Sequence, residues 1–154
     1  EVMTRQRAGH IIFVSSLAGL ITLPQWSAYV ASKWAVTSFA DCIRPELKPF
    51  GIKVTTIHPG AVRTEFFDKD KADVDISKLG SAIEVDAVTD AIYNSSFTNK
   101  KKVILPFSSK AFASIYRVSP AIAEKLISQM TKDAEYHENT KEDEPEFSYI
   151  KPLK

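Results

Sequence analysis

Short β-branched runs and longer segments of helical period alternate along this chain. After Gly9, HIIFVSS shows no polar–apolar alternation, which suits a strand buried on both faces of a parallel sheet. LAGLITLPQW then reads as a loop, with Gly19 and Pro24 as breakers. Val30, Trp34, Phe39, Ile43 and Leu47 recur at four- and five-residue steps and predict a helix from Ser27 to about Lys48. Pro45 should disturb its last turns, and Phe50-Gly51 should close it. A second buried strand, Lys53 to His58, is stopped by Pro59-Gly60. A strand, a long helix and a second strand make a βαβ crossover, a unit that is right-handed almost without exception.

The pattern then repeats. A polar stretch containing Phe66 and Phe67 reads as a long loop, followed by a helix from Glu84 to about Ser96 and a short strand, VILP. Beyond Pro106 come two amphipathic helices, one around Lys110 to Val118 and one with Ser119 as N-cap and Pro120 in its first position. From Asp133 the chain is highly charged and weakly periodic, as a solvated tail would be. The domain reading is one α/β unit over residues 1–132 and a flexible tail over 133–154. The opening EVMTRQRAG looks like the last turns of a helix capped by Gly9, so the chain starts inside an element, as a fragment would.

Composition narrows the function classes. With 154 residues, 44% hydrophobic and 25% charged, the chain can bury a real core, which argues against disorder. A net charge of +1 without a large single-sign block argues against a nucleic-acid partner. The lone Cys42 excludes an internal disulfide and a cysteine zinc cluster, and fits a cytoplasmic location. No apolar run approaches the roughly 20 residues of a membrane span. No metal site is expected: His10 and His58 read as strand-end residues, and His137 lies in the tail.

The chemistry concentrates between Ser15 and Lys33. Tyr29 and Lys33 are four residues apart and share one face of the predicted helix. Ser15 and Ser16 stand at the carboxyl end of a strand, where open α/β sheets place ligands. Only one of the two serines can point into a site, because a strand alternates its faces. Reducing a carbonyl leaves negative charge on oxygen, so a proton donor must act in or near the same transition state. A phenol near pKa 10 is too weak an acid unaided, and positive charge beside it favours the phenolate. These residues therefore suit the proton-transfer site of a carbonyl or alcohol oxidoreductase, and Trp26, Phe66 and Phe67 could line its pocket.

The segment from Gly9 to Phe67 resembles the catalytic part of the short-chain dehydrogenase/reductase family: a strand-end serine, tyrosine with lysine four later, then Pro-Gly with a threonine shortly after. That resemblance implies Ser16, Tyr29 and Lys33 as catalytic, with Ser16 preferred over Ser15 by the family's spacing. It implies that Tyr29, Lys33, Pro59, Gly60, Val62 and Thr64 meet the nicotinamide end of NAD or NADP, with Lys33 holding the ribose. It also implies a Rossmann-like, doubly wound parallel sheet and a small carbonyl or alcohol substrate; the apolar stripe of the Tyr29 helix can reach a core or another subunit, so a homo-oligomer through that helix is expected.

One part of that pattern is missing. A dinucleotide needs a glycine-rich turn at a helix N-terminus, and the five glycines, at 9, 19, 51, 60 and 80, are too dispersed to form one. The chain thus reads as the C-terminal half of such a domain, and its choice between NAD and NADP is unreadable. Two other readings stay open: a catalytically incomplete fragment or scaffold, and an epimerase or dehydratase sharing the tyrosine–lysine pair. The helices after Pro106 suit covering a pocket or an interface better than touching a membrane surface.

Overall fold

The computed structural model describes residues 1–24, 26–64 and 82–131, and side chains as far as residue 127. The charged tail and the loop segment carrying Phe66 and Phe67 lie outside the described residues. Ten described elements follow one another: helix α1 (Val2–Gln6), strand β1 (Gly9–Val14), a 3₁₀ turn (Leu17–Gly19), helix α2 (Ser27–Leu47), a second 3₁₀ turn (Lys48–Phe50), strand β2 (Ile52–Pro59), helix α3 (Val85–Ser96), strand β3 (Lys102–Leu105), helix α4 (Phe107–Val118) and helix α5 (Pro120–Thr131).

The three strands form one parallel sheet in the order β1-β2-β3. Gly9 to Val14 pair with Ile52 to Ile57, and Thr56 to Pro59 pair with Lys102 to Leu105. Both βαβ units read from the sequence are present. Strand β2, in the middle, is buried at every position but Lys53, whereas β1 is only half-buried and its Val14 is 48% exposed. The expectation that β1 is covered on both faces therefore fails. It is the edge of the described sheet, and its apolar run has less to pack against than β2 has.

The two crossovers run on opposite faces. Phe13 packs edge-on against Phe39 of α2, with ring centres 5.8 Å apart. His10 stands on the other face of β1, and its Nδ1 lies 3.4 Å from the carbonyl of Ser96 at the end of α3. Because the strand order advances in one direction while the helices change sides, the second crossover has the opposite hand to the first. The usual handedness preference therefore does not carry from one unit to the next.

Helix α2 buries Val30, Thr37 and Ala40, with the half-buried Arg44 further along. Small side chains let the helix lie close to the strands. Trp34 and Phe39 are 40% and 56% exposed, Phe39 while still touching Phe13 on β1. The helix continues through Pro45 for two residues before tightening into the Lys48–Phe50 turn, which Gly51 closes at φ 70°. Arg7 rather than Gly9 caps α1, in the left-handed region at φ 54°. Gly9 instead starts β1, where a Cβ would strike Met3.

The core is built from Ala18, Ile21, Val30, Ala40, Ile52, Val54 and Ile57, with Ala113, Ala123 and Ile127 on the C-terminal helices. No helix of the described residues is long and apolar enough to cross a membrane.

Candidate active site

The carboxyl ends of β1 and β2 lie side by side, and Ser15, Ser16 and Pro59 stand there. Ser15 N–H donates to the Ile57 carbonyl at 2.9 Å, which carries the ladder one residue past β1. The chain then divides the two serines between opposite directions. Ser15 is buried, and its Oγ lies 3.1 Å from both the Lys33 carbonyl and Thr37 Oγ1 on α2. Ser16 is half-buried, accepts at Oγ from Ala18 N–H at 3.2 Å, and donates to the Pro59 carbonyl at 3.4 Å. A 3.4 Å hydroxyl bond is weak and readily exchanged for another acceptor.

Gly19 explains how the loop comes so close to the helix. A Cβ there would lie 2.5 Å from Ser15 Oγ, 2.6 Å from Thr37 Oγ1 and 2.7 Å from the Lys33 carbonyl, so only glycine fits. The start of α2 is thereby held against the strand end by backbone and hydroxyl contacts. Trp34 Nε1 adds a bond to the Ile21 carbonyl at 3.2 Å.

Tyr29 and Lys33, both half-buried, occupy the same side of α2's first turns, with Lys33 Nζ 5.5 Å from the Tyr29 ring centre. That spacing follows from the helical rise, which stacks residues four apart. Trp26 packs edge-on against Tyr29 with ring centres at 5.6 Å, so one of the expected pocket aromatics flanks the phenol.

The segment after β2 carries the other residues singled out in the sequence. Gly60 N–H donates to the Leu105 carbonyl at 2.6 Å, and a Cβ at Gly60 would press on Ser109, Leu105 and Pro106. Val62 forms a parallel bridge with Ile83, made by Ile83 N–H to the Ala61 carbonyl and Arg63 N–H to the Ile83 carbonyl, each at 2.9 Å. In such a bridge the peptide groups of Val62 itself point away from Ile83. Thr64 is exposed one residue beyond Arg63, which pairs with Glu84 at the surface.

His58 was not assigned a role by the sequence. It is fully buried, with Nδ1 3.0 Å from the Ser16 carbonyl and Nε2 2.9 Å from Thr56 Oγ1. Burial pushes its pKa below the ordinary histidine value of 6.5, partly opposed by the bond to Ser16. The contact joins residues 42 apart in sequence, and no local pattern announces it. Among the described residues no cluster of histidine, cysteine and carboxylate side chains could hold a metal ion.

The parallel sheet with a helix crossing between neighbouring strands makes this an α/β protein of Rossmann type, and comparison with known proteins shows what it is similar to. Residues 1–75 match the family model described as short chain dehydrogenase. The uncharacterized oxidoreductase YbbO of Escherichia coli strain K12 is 35% identical over 112 residues, which are 68% of this chain and 42% of YbbO. Dehydrogenase/reductase SDR family member 7B of Xenopus tropicalis is 47% identical over 62 residues, 40% of this chain and 20% of that protein. A short chain dehydrogenase from Burkholderia cenocepacia J2315, solved in complex with NADP, superposes with a TM-score of 0.65 at 24% identity, covering 79% of this chain and 48% of that one. The chain is thus related by sequence to the short-chain dehydrogenase/reductase family and shares its Rossmann fold. It spans less than half the length of each of these relatives.

Proposed function

We propose that this chain is the catalytic and substrate-binding part of an NAD(P)-dependent oxidoreductase that interconverts a carbonyl and a secondary alcohol. One observation carries the reading: the Ser16 hydroxyl and the Tyr29–Lys33 pair come from two elements that the Ser15–Lys33 bond ties together at the sheet's carboxyl edge. The short chain dehydrogenase match over residues 1–75 supports it, since all the proposed site residues fall within that stretch.

The residues present fit a nicotinamide cofactor. Lys33 and Tyr29 offer an ammonium and a phenol, Thr64 an exposed hydroxyl, and Val62 peptide groups directed away from its ladder partner, beside Pro59 and Gly60 at the end of β2. When bound, NAD or NADP supplies or takes the hydride. The Ser16 hydroxyl donates to the substrate oxygen, exchanging its weak bond to Pro59 for a bond to developing negative charge. One such donor is worth roughly 3 kcal/mol in the transition state. Tyr29 gives its proton to that oxygen in reduction and takes it back in oxidation, and Lys33 stabilises the phenolate left behind. Trp26 closes one side of the pocket.

The exposed Trp34 and Phe39 on α2 support pairing of two copies through that helix. The test is Tyr29→Phe in the full-length protein, with NADPH and NADH titrations beside turnover of a panel of small aldehydes and ketones. Binding should survive and turnover should vanish; a variant that still turns over removes Tyr29 from the chemistry.

A further inference from the structure

His58 takes no part in the chemistry proposed above, yet it sits directly behind Ser16. A carbonyl oxygen can only accept, so the 3.0 Å contact with Ser16 O requires the proton on Nδ1. In a neutral ring Nε2 must then accept, and Thr56 Oγ1, 2.9 Å away, is the donor. The Lys101 carbonyl, at 3.3 Å, is the more distant acceptor for that same hydroxyl. The imidazole is clamped at both nitrogens and lies between the sheet and α2, where the charged groups bearing on it are Asp41 and Arg44 on α2 and Lys102 on β3. Burial favours the neutral ring that this tautomer needs.

Ser16 itself is held loosely except through its carbonyl. The residue is extended, at φ −158° and ψ 165°, and caps the turn at Leu17–Gly19. Among the described residues its hydroxyl accepts from Ala18 N–H at 3.2 Å, a bond within its own turn, and donates to the Pro59 carbonyl at 3.4 Å, too long to hold it firmly to β2. Its carbonyl accepts two shorter bonds, from Gly19 N–H at 2.9 Å and from His58 at 3.0 Å. The Gly19 bond belongs to the turn and moves with it, whereas the His58 bond ties Ser16 to β2, the strand that also supplies Pro59. Fixing the carbonyl fixes ψ of Ser16, and with it the place of Oγ relative to Pro59.

We propose that His58 is the positioning residue of Ser16: its Nδ1–H anchors the Ser16 carbonyl to β2 and so sets where the hydroxyl meets the substrate oxygen. This rests on the reading of Ser16 as the substrate-oxygen donor. A histidine that merely filled the core would leave a different signature, since its loss would cost stability without redirecting Ser16.

The test compares His58→Asn with His58→Gln in the full-length protein. An asparagine amide nitrogen reaches the position of Nδ1, whereas a glutamine amide nitrogen reaches that of Nε2, and both lose the ring's packing. Melting temperatures should fall in both. Turnover of small aldehydes and ketones with NADPH should separate them: kcat within about threefold of wild type for asparagine and lower by on the order of tenfold to a hundredfold for glutamine, with KM little changed in either, as for a small misplacement of a reacting group. In a Ser16→Ala background the difference between the two should vanish. Crystal structures should show Ser16 Oγ in place in His58→Asn and displaced in His58→Gln. Equal kcat losses that follow the melting temperatures, or an unmoved Ser16 in both variants, overturn the proposal. Ser16→Ala with wild-type turnover would instead overturn the reading of Ser16, while the crystal structures still decide the anchoring. If both variants fail to fold, ¹⁵N-histidine spectra of the wild-type protein at pH 7.5 decide it: His58 protonated at Nδ1 agrees, and protonation at Nε2 alone overturns it.

Discussion

Ser15 and Ser16 are neighbours in the chain but bond to different elements: Ser15 Oγ to the Lys33 carbonyl on α2 at 3.1 Å, Ser16 Oγ to the Pro59 carbonyl on β2 at 3.4 Å. One hydroxyl fastens the strand end to the crossover helix, and the other sits at the seam between the strands. Their alanine variants should therefore fail in different ways. Ser15→Ala removes a buried hydroxyl from a bonded pair with Thr37 and should cost about 1–2 kcal/mol in urea unfolding, with turnover largely kept. Ser16→Ala should lower kcat by on the order of a hundredfold and leave the unfolding midpoint within about 0.5 kcal/mol. The reverse pattern would exchange the roles of the two serines.

Gly19 makes a sharper prediction about the same junction. A methyl group at this position meets two hydroxyls and the Lys33 backbone carbonyl inside 2.8 Å, and backbone cannot step aside as the end of a flexible side chain can. Gly19→Ala should destabilise the protein by about 1–3 kcal/mol, as overpacking does. It should also reduce turnover beyond its effect on stability, because it parts the turn after Ser16 from the helix that carries Tyr29 and Lys33. Urea unfolding together with kcat measured well below the melting temperature checks both halves; a wild-type midpoint would mean that the loop and helix are not in tight contact.

Much of this could be read before any coordinates. Unalternating β-branched runs ended by Ser-Ser and Pro-Gly marked the strands, because a central parallel strand such as β2 is buried on both faces. A helical period flanked by breakers gave α2 to within a residue. Other features depend on neighbours that the sequence does not name. Which residues of α2 are buried depends on how closely the helix approaches its neighbours, so Thr37 and Ala40 are covered while Trp34 and Phe39 stay exposed. Arg7 takes the left-handed cap, and its guanidinium reaches the Pro49 carbonyl and lies over the Phe50 ring. The hand of the second crossover and the His58–Ser16 bond are tertiary facts with no local periodicity. Helix geometry put Tyr29 and Lys33 on one face of α2, whereas the bond from His58 to the Ser16 carbonyl joins residues far apart in the chain.

Two groups set how stability should respond to acid. His58 has its folded-state pKa pushed below 6.5, mainly by burial, so between that lowered value and 6.5 the unfolded chain binds more protons than the folded one. Stability is then complete above about pH 6.5 and falls as the pH drops below it. For Asp41 burial acts upward, but the bonds and charges of Lys102 and Arg44 prevail and hold it below 3.8; its contribution is present above 3.8 and is lost as the pH falls further. Urea midpoints from pH 8 down to pH 3 should show a first decline starting near 6.5 that His58→Asn flattens, and a second below 3.8 that Asp41→Asn removes. A midpoint level from pH 7.5 to pH 5, or a His58→Asn variant that declines like the wild type, would contradict the assignment.

Arg44 and Lys102 both meet Asp41, and the geometry ranks them. Lys102 Nζ reaches Asp41 Oδ2 at 2.7 Å between side chains that are 36% and 38% exposed, a pairing that solvent screens and that is worth at most about 1 kcal/mol. Arg44 is 18% exposed, bonds the other oxygen of Asp41, and sends Nε to the Val54 carbonyl at 3.0 Å and a terminal nitrogen to the Lys101 carbonyl at 3.3 Å. It therefore links α2 to β2 and to the residue that begins β3's approach, whereas Lys102 adds only charge. Arg44→Ala should cost about 2–3 kcal/mol, since hydrogen bonds from a charged donor are the stronger ones and the guanidinium stem also packs. Lys102→Ala should cost less than about 1 kcal/mol, and raising the salt concentration should shrink its effect while leaving that of Arg44→Ala nearly unchanged. Urea unfolding at low and high salt measures both; equal costs for the two variants would mean that the ion pair, and not the carbonyl bonds, holds the helix to the sheet.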